Sequence, residues 1–436
     1  MIPKRDLFRT FAKIGCLGFG GPAGQIALMH KILIEEKNWI SEQRFLHALN
    51  YCMLLPGPEA MQLATYIGWL LHKTWGGIVA GLLFVLPGFL LMMGLAAVYA
   101  QYHSAPLVAA LFFGLKPAVL VIVVEALIRI GKRALKSPSS KKLAALSFIC
   151  IFFLNAPFPL IVLGAGVIGY VGRHSAFKPA PPAEKPAGHI PSAIDRMMDA
   201  GQLNHASPLY ARPLGTLFDW LAIWLTPLLL SWHFLGGAHI LSQIGAAFSK
   251  LAVVTFGGAY AALAYVAQMQ LIPPADMLNG LGLAETTPGP LVLVLEYVGY
   301  LAAYKPHGHL FGLLGASMAA WVTFAPCFLW IFLGAPYVEQ ARHNKALAAT
   351  LSAITAAVTG VILNLAVWFA LHTLWAKVEP IRQTGITLYK VAQPDIAAIA
   401  LTILAAVTTF KLKWGLLPTL GLCAVLGLAI NSFSLF

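Results

Sequence analysis

Four short breaks rich in glycine and proline interrupt otherwise apolar stretches of this chain. Gly18-Phe19-Gly20-Gly21-Pro22-Ala23-Gly24 is echoed by Phe256-Gly257-Gly258, and Pro56-Gly57-Pro58 is echoed by Pro288-Gly289-Pro290. Glycine lets backbone come close to a ligand, and proline removes a donor and stops a helix. A helix that restarts after such a break presents free N–H groups backed by about half a positive charge. That combination suits an anion. The breaks place Gly20, Gly21, Gly57, Gly257, Gly258 and Gly289 in a candidate substrate site. Gln25, Gln62, Thr286 and Thr287 stand beside them as side-chain donors. Close helix packing through small residues is the competing account. It explains a single Gly-Gly pair easily and four matched breaks poorly.

Ionisable residues inside apolar segments are costly and mark functional sites by default. Lys13 and Lys250 hold equivalent places, one to two turns before the two Phe-Gly-Gly breaks. A duplicated cation fits the holding of an anion; snorkelling to the interface is the alternative, above all for Lys13 near the start of the chain. Lys116, just before Pro117, reads similarly, and its repeat partner is Thr355. The carboxylates of the apolar segments are Glu59, Glu125, Glu285 and Glu296, and the first three are candidates for proton coupling. Glu59 follows Pro-Gly-Pro and equally suits the first turn of a helix, with Gln62 and Tyr66 on its face. Glu125 and Arg129 have the spacing of a local ion pair. Glu125 lies on the opposite side of its helix from Lys116, so an unbroken helix cannot turn both to one pore. Glu285 directly precedes Thr286, Thr287 and the second Pro-Gly-Pro. No cofactor or metal is expected. The thirteen histidines contain no HExxH, and the five cysteines have no CxxC spacing. His307 and His309 read as part of a solvated loop.

The elements that carry these residues must lie in lipid. Of 436 residues, 59% are hydrophobic and 10% charged, against about 25% charged in a typical soluble domain. Mean hydropathy is +0.77. Spanning backbone must satisfy its own hydrogen bonds, which leaves helices or a closed barrel. Barrel strands alternate polar with apolar, whereas Ile78–Val98 and Leu107–Val124 are continuously apolar, so helices are expected. Apolar stretches run at 8–30, 46–72, 76–100, 106–130, 142–154, 157–172, 215–237, 243–270, 277–304, 309–335, 346–375, 393–410 and 414–433. The expected fold is an all-α polytopic membrane protein of roughly 12–13 membrane segments, given about 20 residues per crossing. The net charge of +13 gathers in short loops, which is topogenic and gives no reason to invoke nucleic acid.

The chain also repeats itself. Phe11, Lys13 and Phe19-Gly20-Gly21 match Phe248, Lys250 and Phe256-Gly257-Gly258 at one constant offset. Tyr66-Ile67-Gly68 answers Tyr297-Val298-Gly299, Pro87 answers Pro326, and Ala118-Val119 answers Ala357-Val358. The layout is a first repeat (1–172), a polar Pro-rich cytoplasmic linker read as flexible (173–214), a linker transmembrane helix (215–240) and a second repeat (241–436). Lys and Arg at 129–142, at the N-terminus and in the linker put all three in the cytoplasm. An even number of crossings must separate these anchors, which favours 142–172 as a helical hairpin. Segment 215–237 has no partner in the first half. If it crosses once, the second copy starts on the opposite side and the repeats are inverted, as in several secondary transporters.

Gly18 to Gln25, Leu55-Pro56-Gly57-Pro58-Glu59-Ala60, Gln62 to Gly68 and Gly282 to Pro290 together resemble the chromate ion transporter family in its long, two-domain form. The resemblance spans nearly the whole chain except the linker. It implies efflux of chromate across the bacterial inner membrane, conferring resistance, with sulfate as a related anion. One departure is Met61, where the resemblance leads one to expect a second glutamine beside Gln62. Chromate is a tetrahedral dianion, and a negative-inside potential drives it outward by about 2.3 kcal/mol per charge per 100 mV. Proton coupling and oligomeric state stay open, with a homodimer as the assembly entertained. The rivals are a transporter, importers included, of sulfate or another oxyanion, an anion channel, and a membrane-embedded enzyme, for which no nucleotide loop or cofactor motif speaks.

Overall fold

A computed structural model describes residues 2–53, 55–174, 191–206, 212–256, 258–337, 345–383 and 386–433. Helix α1 (Lys4–Leu17) stops at the first Phe-Gly-Gly break and α2 (Gly21–His30) resumes after it. A π-turn at Lys31–Glu36 leads to α3 (Glu42–Cys52), which ends ahead of Pro56-Gly57-Pro58. The long α4 (Glu59–Tyr102) is kinked at His72 and Lys73, where the sequence predicts the boundary between two segments. Next come α5 (Pro106–Ala134), α6 (Pro138–Phe152) and α7 (Phe158–Val171). Proline in the first turn of each sacrifices an N–H that had no helical partner. Residues 142–172 thus form two helices, with Asn155 in the left-handed region between them.

The segment read as a flexible linker is not featureless. It contains α8 (Ala193–Asp199), started by a capping box between Ser192 and Asp195. The Ala193 and Ile194 N–H groups donate to the Asn38 and Trp39 carbonyls, each at 3.0 Å. Arg44 Nε donates to Asp195 Oδ1 at 2.6 Å. Burial alone would raise the Asp195 carboxyl, but Arg44 and Ser192 outweigh it and hold the group below its ordinary range. Residues 175–190 and 207–211 lie outside the described residues.

The second half repeats the pattern. After α9 (Pro213–Leu235), α10 (Ile240–Val254) and α11 (Ala259–Met269) flank the second Phe-Gly-Gly break. Then α12 (Pro274–Thr286) and α13 (Val294–His307) flank the second Pro-Gly-Pro. They are followed by α14 (His309–Gly334) and α15 (Lys345–Leu374). An antiparallel hairpin, β1 (Trp375–Gln383) with β2 (Ile386–Pro394), pairs Trp375 with Pro394 and Ile381 with Leu388. This hairpin departs from the all-helical expectation. It carries the β-branched or aromatic residues Trp375, Val378, Ile381, Ile386, Thr387, Tyr389 and Val391, and it lies between α15 and α16 (Ile396–Ala406). The last described helix is α17 (Leu416–Phe433). Among the described residues, the helices starting at Glu59, Pro106, Pro213, His309 and Ala346 are long and apolar enough to cross a membrane. The chain is a multi-pass helical membrane protein.

It folds as two compact units, and each draws on both sequence copies. One comprises Met1–Met93, Pro179–Ala259 and Thr287–Ala348; the other comprises Gly94–Lys178, Tyr260–Thr286 and Ala349–Phe436. In the first unit, a Cβ added at Gly68 would strike the Gly76 carbonyl, and one at Gly76 would strike that of Gly68. Gly299 and Gly315 have the same mutual relation. Both copies therefore fold back on themselves through glycine-to-glycine backbone contact.

The second unit sets repeat-equivalent helices against each other. Gly131, near the end of α5, faces Thr359 midway along α15. Lys116, one helical stretch earlier in α5, lies in electrostatic range of Asp395, whose N–H bonds the last carbonyl of α15 at Leu374. α5 and α15 therefore run antiparallel. The matched pairs Ala118-Val119 and Ala357-Val358 lie on these two helices. Equivalent helices running in opposite directions are the mark of an inverted repeat. The Phe153 carbonyl between α6 and α7 accepts from Thr387 N–H at 2.7 Å, which fixes the hairpin beside that turn.

Candidate functional site

The four breaks meet in the first unit, and they meet crosswise. The Gly57 N–H donates to the Thr255 carbonyl at 3.0 Å, and the Gly289 N–H donates to the Gly18 carbonyl at 3.0 Å. Thr255 occupies the place of Gly18 in the second copy, and Gly289 that of Gly57. Each Pro-Gly-Pro therefore bonds the Phe-Gly-Gly break of the other copy, through the same atoms. The surroundings match too. A Cβ at Gly57 would meet Cys327 Sγ at 2.8 Å, and one at Gly289 would meet Gly88 Cα at 3.4 Å. Gly88 and Cys327 each follow one of the matched prolines, Pro87 and Pro326. Gly57 and Gly289 have φ of +112° and +90°, where only glycine sits without strain.

The Phe-Gly-Gly breaks have a different character. Gly20, Gly21 and Gly258 have φ of +83°, +66° and +80°. Among the described residues, no atom beyond the chain neighbours and the helix's own backbone stands within 4 Å of where their Cβ atoms would lie. Helices α2 and α11 therefore begin with their N-termini open, while the neighbouring Pro-Gly-Pro segments are packed tightly. Gly257, named with this group from sequence, lies outside the described residues.

The side chains of the first unit divide by role. Gln25 is buried, and its amide donates to the carbonyls of Gly18, at 3.2 Å, and Gly289. It clamps one crossed pair of breaks together. Gln62 is buried and donates to the Pro56 carbonyl at 2.7 Å, bracing the other pair. Among the described residues its Oε1 has no hydrogen-bond partner. Glu59 opens α4 in its first turn and is half-buried. Thr287 is buried beside Pro288. Lys13 pairs with Glu36 at 3.7 Å on an exposed surface, and Lys250 is exposed.

The remaining sequence candidates belong to the second unit. Glu285 is 4% exposed and accepts a hydrogen bond from the Tyr260 hydroxyl at 2.7 Å. The ion pair expected between Glu125 and Arg129 does not form among the described residues. Both instead lie in electrostatic range of Glu285, so a buried carboxyl competes for the guanidinium. Thr286 spends its hydroxyl proton on the Leu283 carbonyl at 2.8 Å. Lys116 is half-buried near Asp276, which accepts from Tyr99, itself an acceptor for Asn279. Among the described residues, no three His, Cys, Asp or Glu side chains are grouped to hold a metal ion.

Sequence reasoning missed Thr255, Gly88, Cys327 and Tyr260. The repeat offset points to Thr255 once Gly18 is chosen, although it differs in type from its match; Gly88 and Cys327 match each other beside Pro87 and Pro326, but nothing local ties them to Gly289 and Gly57. Tyr260 gave no signal, since its partner lies a helix away.

Comparison with known proteins agrees with this layout. The profile of the chromate transporter family matches residues 5–170 and 242–428, one stretch in each copy. The chromate transport protein of Cupriavidus metallidurans is 28% identical over 379 residues, covering 85% of this chain and 83% of that one. The chromate transport protein of Pseudomonas aeruginosa is 31% identical over 363 residues, covering 82% and 79%. A transporter of Methanocaldococcus jannaschii, named as uncharacterised, is 23% identical over 376 residues and 85% of each chain. No solved structure matches. With both copies matched by one family profile, the chain belongs to the chromate transporter family.

Proposed function

We propose that this protein is a secondary transporter that exports chromate across the bacterial inner membrane and thereby confers chromate resistance. The observation that carries the reading is the crossed bonding of the four breaks, which leaves the N-termini of α2 and α11 open beside one another's partners. Irregular backbone at membrane depth is tolerated where it lines a cavity, and helix N-termini there favour anions. Chromate is the anion in the names of the relatives from Cupriavidus metallidurans and Pseudomonas aeruginosa. Membrane potential drives the dianion outward, and Glu59, Glu125 and Glu285 are the carboxylates of this reading that would couple protons. The N-terminus, the linker and the 129–142 loop face the cytoplasm. Sulfate has the same charge and shape, so it competes for the site. The reading assigns no catalytic residue.

The test is equilibrium binding of labelled chromate to the purified protein. Saturable binding that sulfate displaces is expected. Gly20→Ala and Gly258→Ala each put a methyl group into the open space and push the backbone off its positive φ. Each variant should bind about tenfold more weakly, the equivalent of about 1.4 kcal/mol. Folded variants that bind like the unaltered protein would move the site away from these helix ends.

A further inference from the structure

Glu296 is a carboxyl that the reading above leaves unused. It is 1% exposed, and among the described residues neither of its oxygens has a hydrogen-bond partner. It stands in the first turn of α13, the helix that follows Pro288-Gly289-Pro290, among residues buried from Val294 to Ala303. α13 packs against α14 and α10. Their titratable residues are His309, Cys327 and Lys250, and none of them forms a hydrogen bond with Glu296. The titratable groups of α13 itself, Tyr297, Tyr300, Tyr304, Lys305 and His307, form no hydrogen bond with it either.

A carboxylate so placed, with no donor and no cation, would cost several kcal/mol or more. The neutral acid costs far less, so the packing seen here calls for a proton on Glu296. Its place on the helix supplies the other half of the device. When water reaches the Pro288–Pro290 break, it reaches the positive end of α13, where a carboxylate is favoured. The same break is tied to the first copy by the Gly289 N–H to Gly18 bond. Releasing that bond and hydrating Glu296 are therefore events at one end of one helix. The equivalent residue in the first copy is Thr65, which is buried and donates to the Met61 carbonyl at 2.9 Å. It cannot titrate, so the two copies are chemically unequal here.

We propose that Glu296 is an obligatory proton-binding residue of the transport cycle, alongside the coupling carboxylates named above, neutral in the arrangement seen here and ionised when the break at Pro288–Pro290 opens to water. On ionisation the O–H bond breaks, the electron pair stays on the carboxylate and the proton passes to water; uptake is the reverse. One proton moves per carboxyl, with no redox change. The inference rests on the transport reading.

Two measurements test it. In infrared difference spectra of the purified protein at neutral pH, the carbonyl stretch of a protonated carboxylic acid should be present and should disappear in Glu296→Gln. If no such band is lost, Glu296 is ionised and the proposal falls, whatever happens to chromate. In proteoliposomes loaded with a pH-sensitive dye, chromate flux should move protons. Glu296→Gln should keep chromate flux, make it independent of pH and bring proton movement to background. Proton movement that persists in Glu296→Gln, or chromate flux without protons in the unaltered protein, overturns the proposal. An unaltered protein that moves no chromate defeats the transport reading instead, and the infrared result still decides the proton site. Should Glu296→Gln fail to fold, Glu296→Asp keeps a carboxyl and must move the pH profile; an unmoved profile also overturns the proposal.

Discussion

At the scale of single residues, Gln25 shows most clearly how side chains hold the breaks in place. Its amide donates to two carbonyls that come from different copies, those of Gly18 and Gly289. Replacing it with leucine leaves Gly18 the Gly289 N–H, but takes this donor from the buried Gly289 carbonyl. Gln25→Leu should therefore lower stability by about 1–3 kcal/mol, the cost of an unsatisfied buried acceptor. Thermal unfolding in detergent reads this as a lower midpoint, and an unchanged midpoint would show that the clamp contributes nothing. From sequence, Gln25 was legible as a polar residue beside a break and illegible as a clamp, because its partner Gly289 is remote in the chain. The breaks themselves were legible, since glycine and proline act locally on φ and on donors. Glu296 was visible among the intramembrane carboxylates. What sets it apart, the lack of a hydrogen-bond partner among the described residues, exists only in the packed fold.

At the scale of elements, helix ends followed Pro and Gly closely, and the kink at His72 and Lys73 fell between two apolar stretches read as separate. The hairpin of β1 and β2 was passed over because its apolar residues are sparse beside those of the neighbouring helices. The capping box of α8 was a local signal, but Pro-rich composition around it dominated the reading. Element direction matters most for function. α5 and α15 are equivalent in sequence and antiparallel in space, and the hairpin sits beside the turn between α6 and α7. With the Arg129–Lys142 loop in the cytoplasm, that turn and the hairpin face outward. Accessible tags placed at His307 and at Gln383 should both react from outside the cell. Cytoplasmic reaction of both would contradict the inverted arrangement.

At the scale of the whole molecule, repetition in sequence does not mean one compact unit per copy. Similarity records descent, whereas contacts record which surfaces bury each other. Here each unit pairs corresponding pieces of both copies. The crossed bonds Gly57 to Thr255 and Gly289 to Gly18 give that exchange a purpose, since neither copy alone completes a pair of breaks. On the proposed reading, the site draws on both copies at once, as binding sites at the repeat interface of secondary transporters do. The central claim is that this assembly moves a tetrahedral dianion outward. The most direct test is chromate uptake into inside-out membrane vesicles that carry the protein, at set potentials and pH gradients, with and without sulfate. Saturable uptake that rises with an inside-positive potential and falls with added sulfate is the expected result. No chromate uptake at any potential, with the protein folded and inserted, would contradict it.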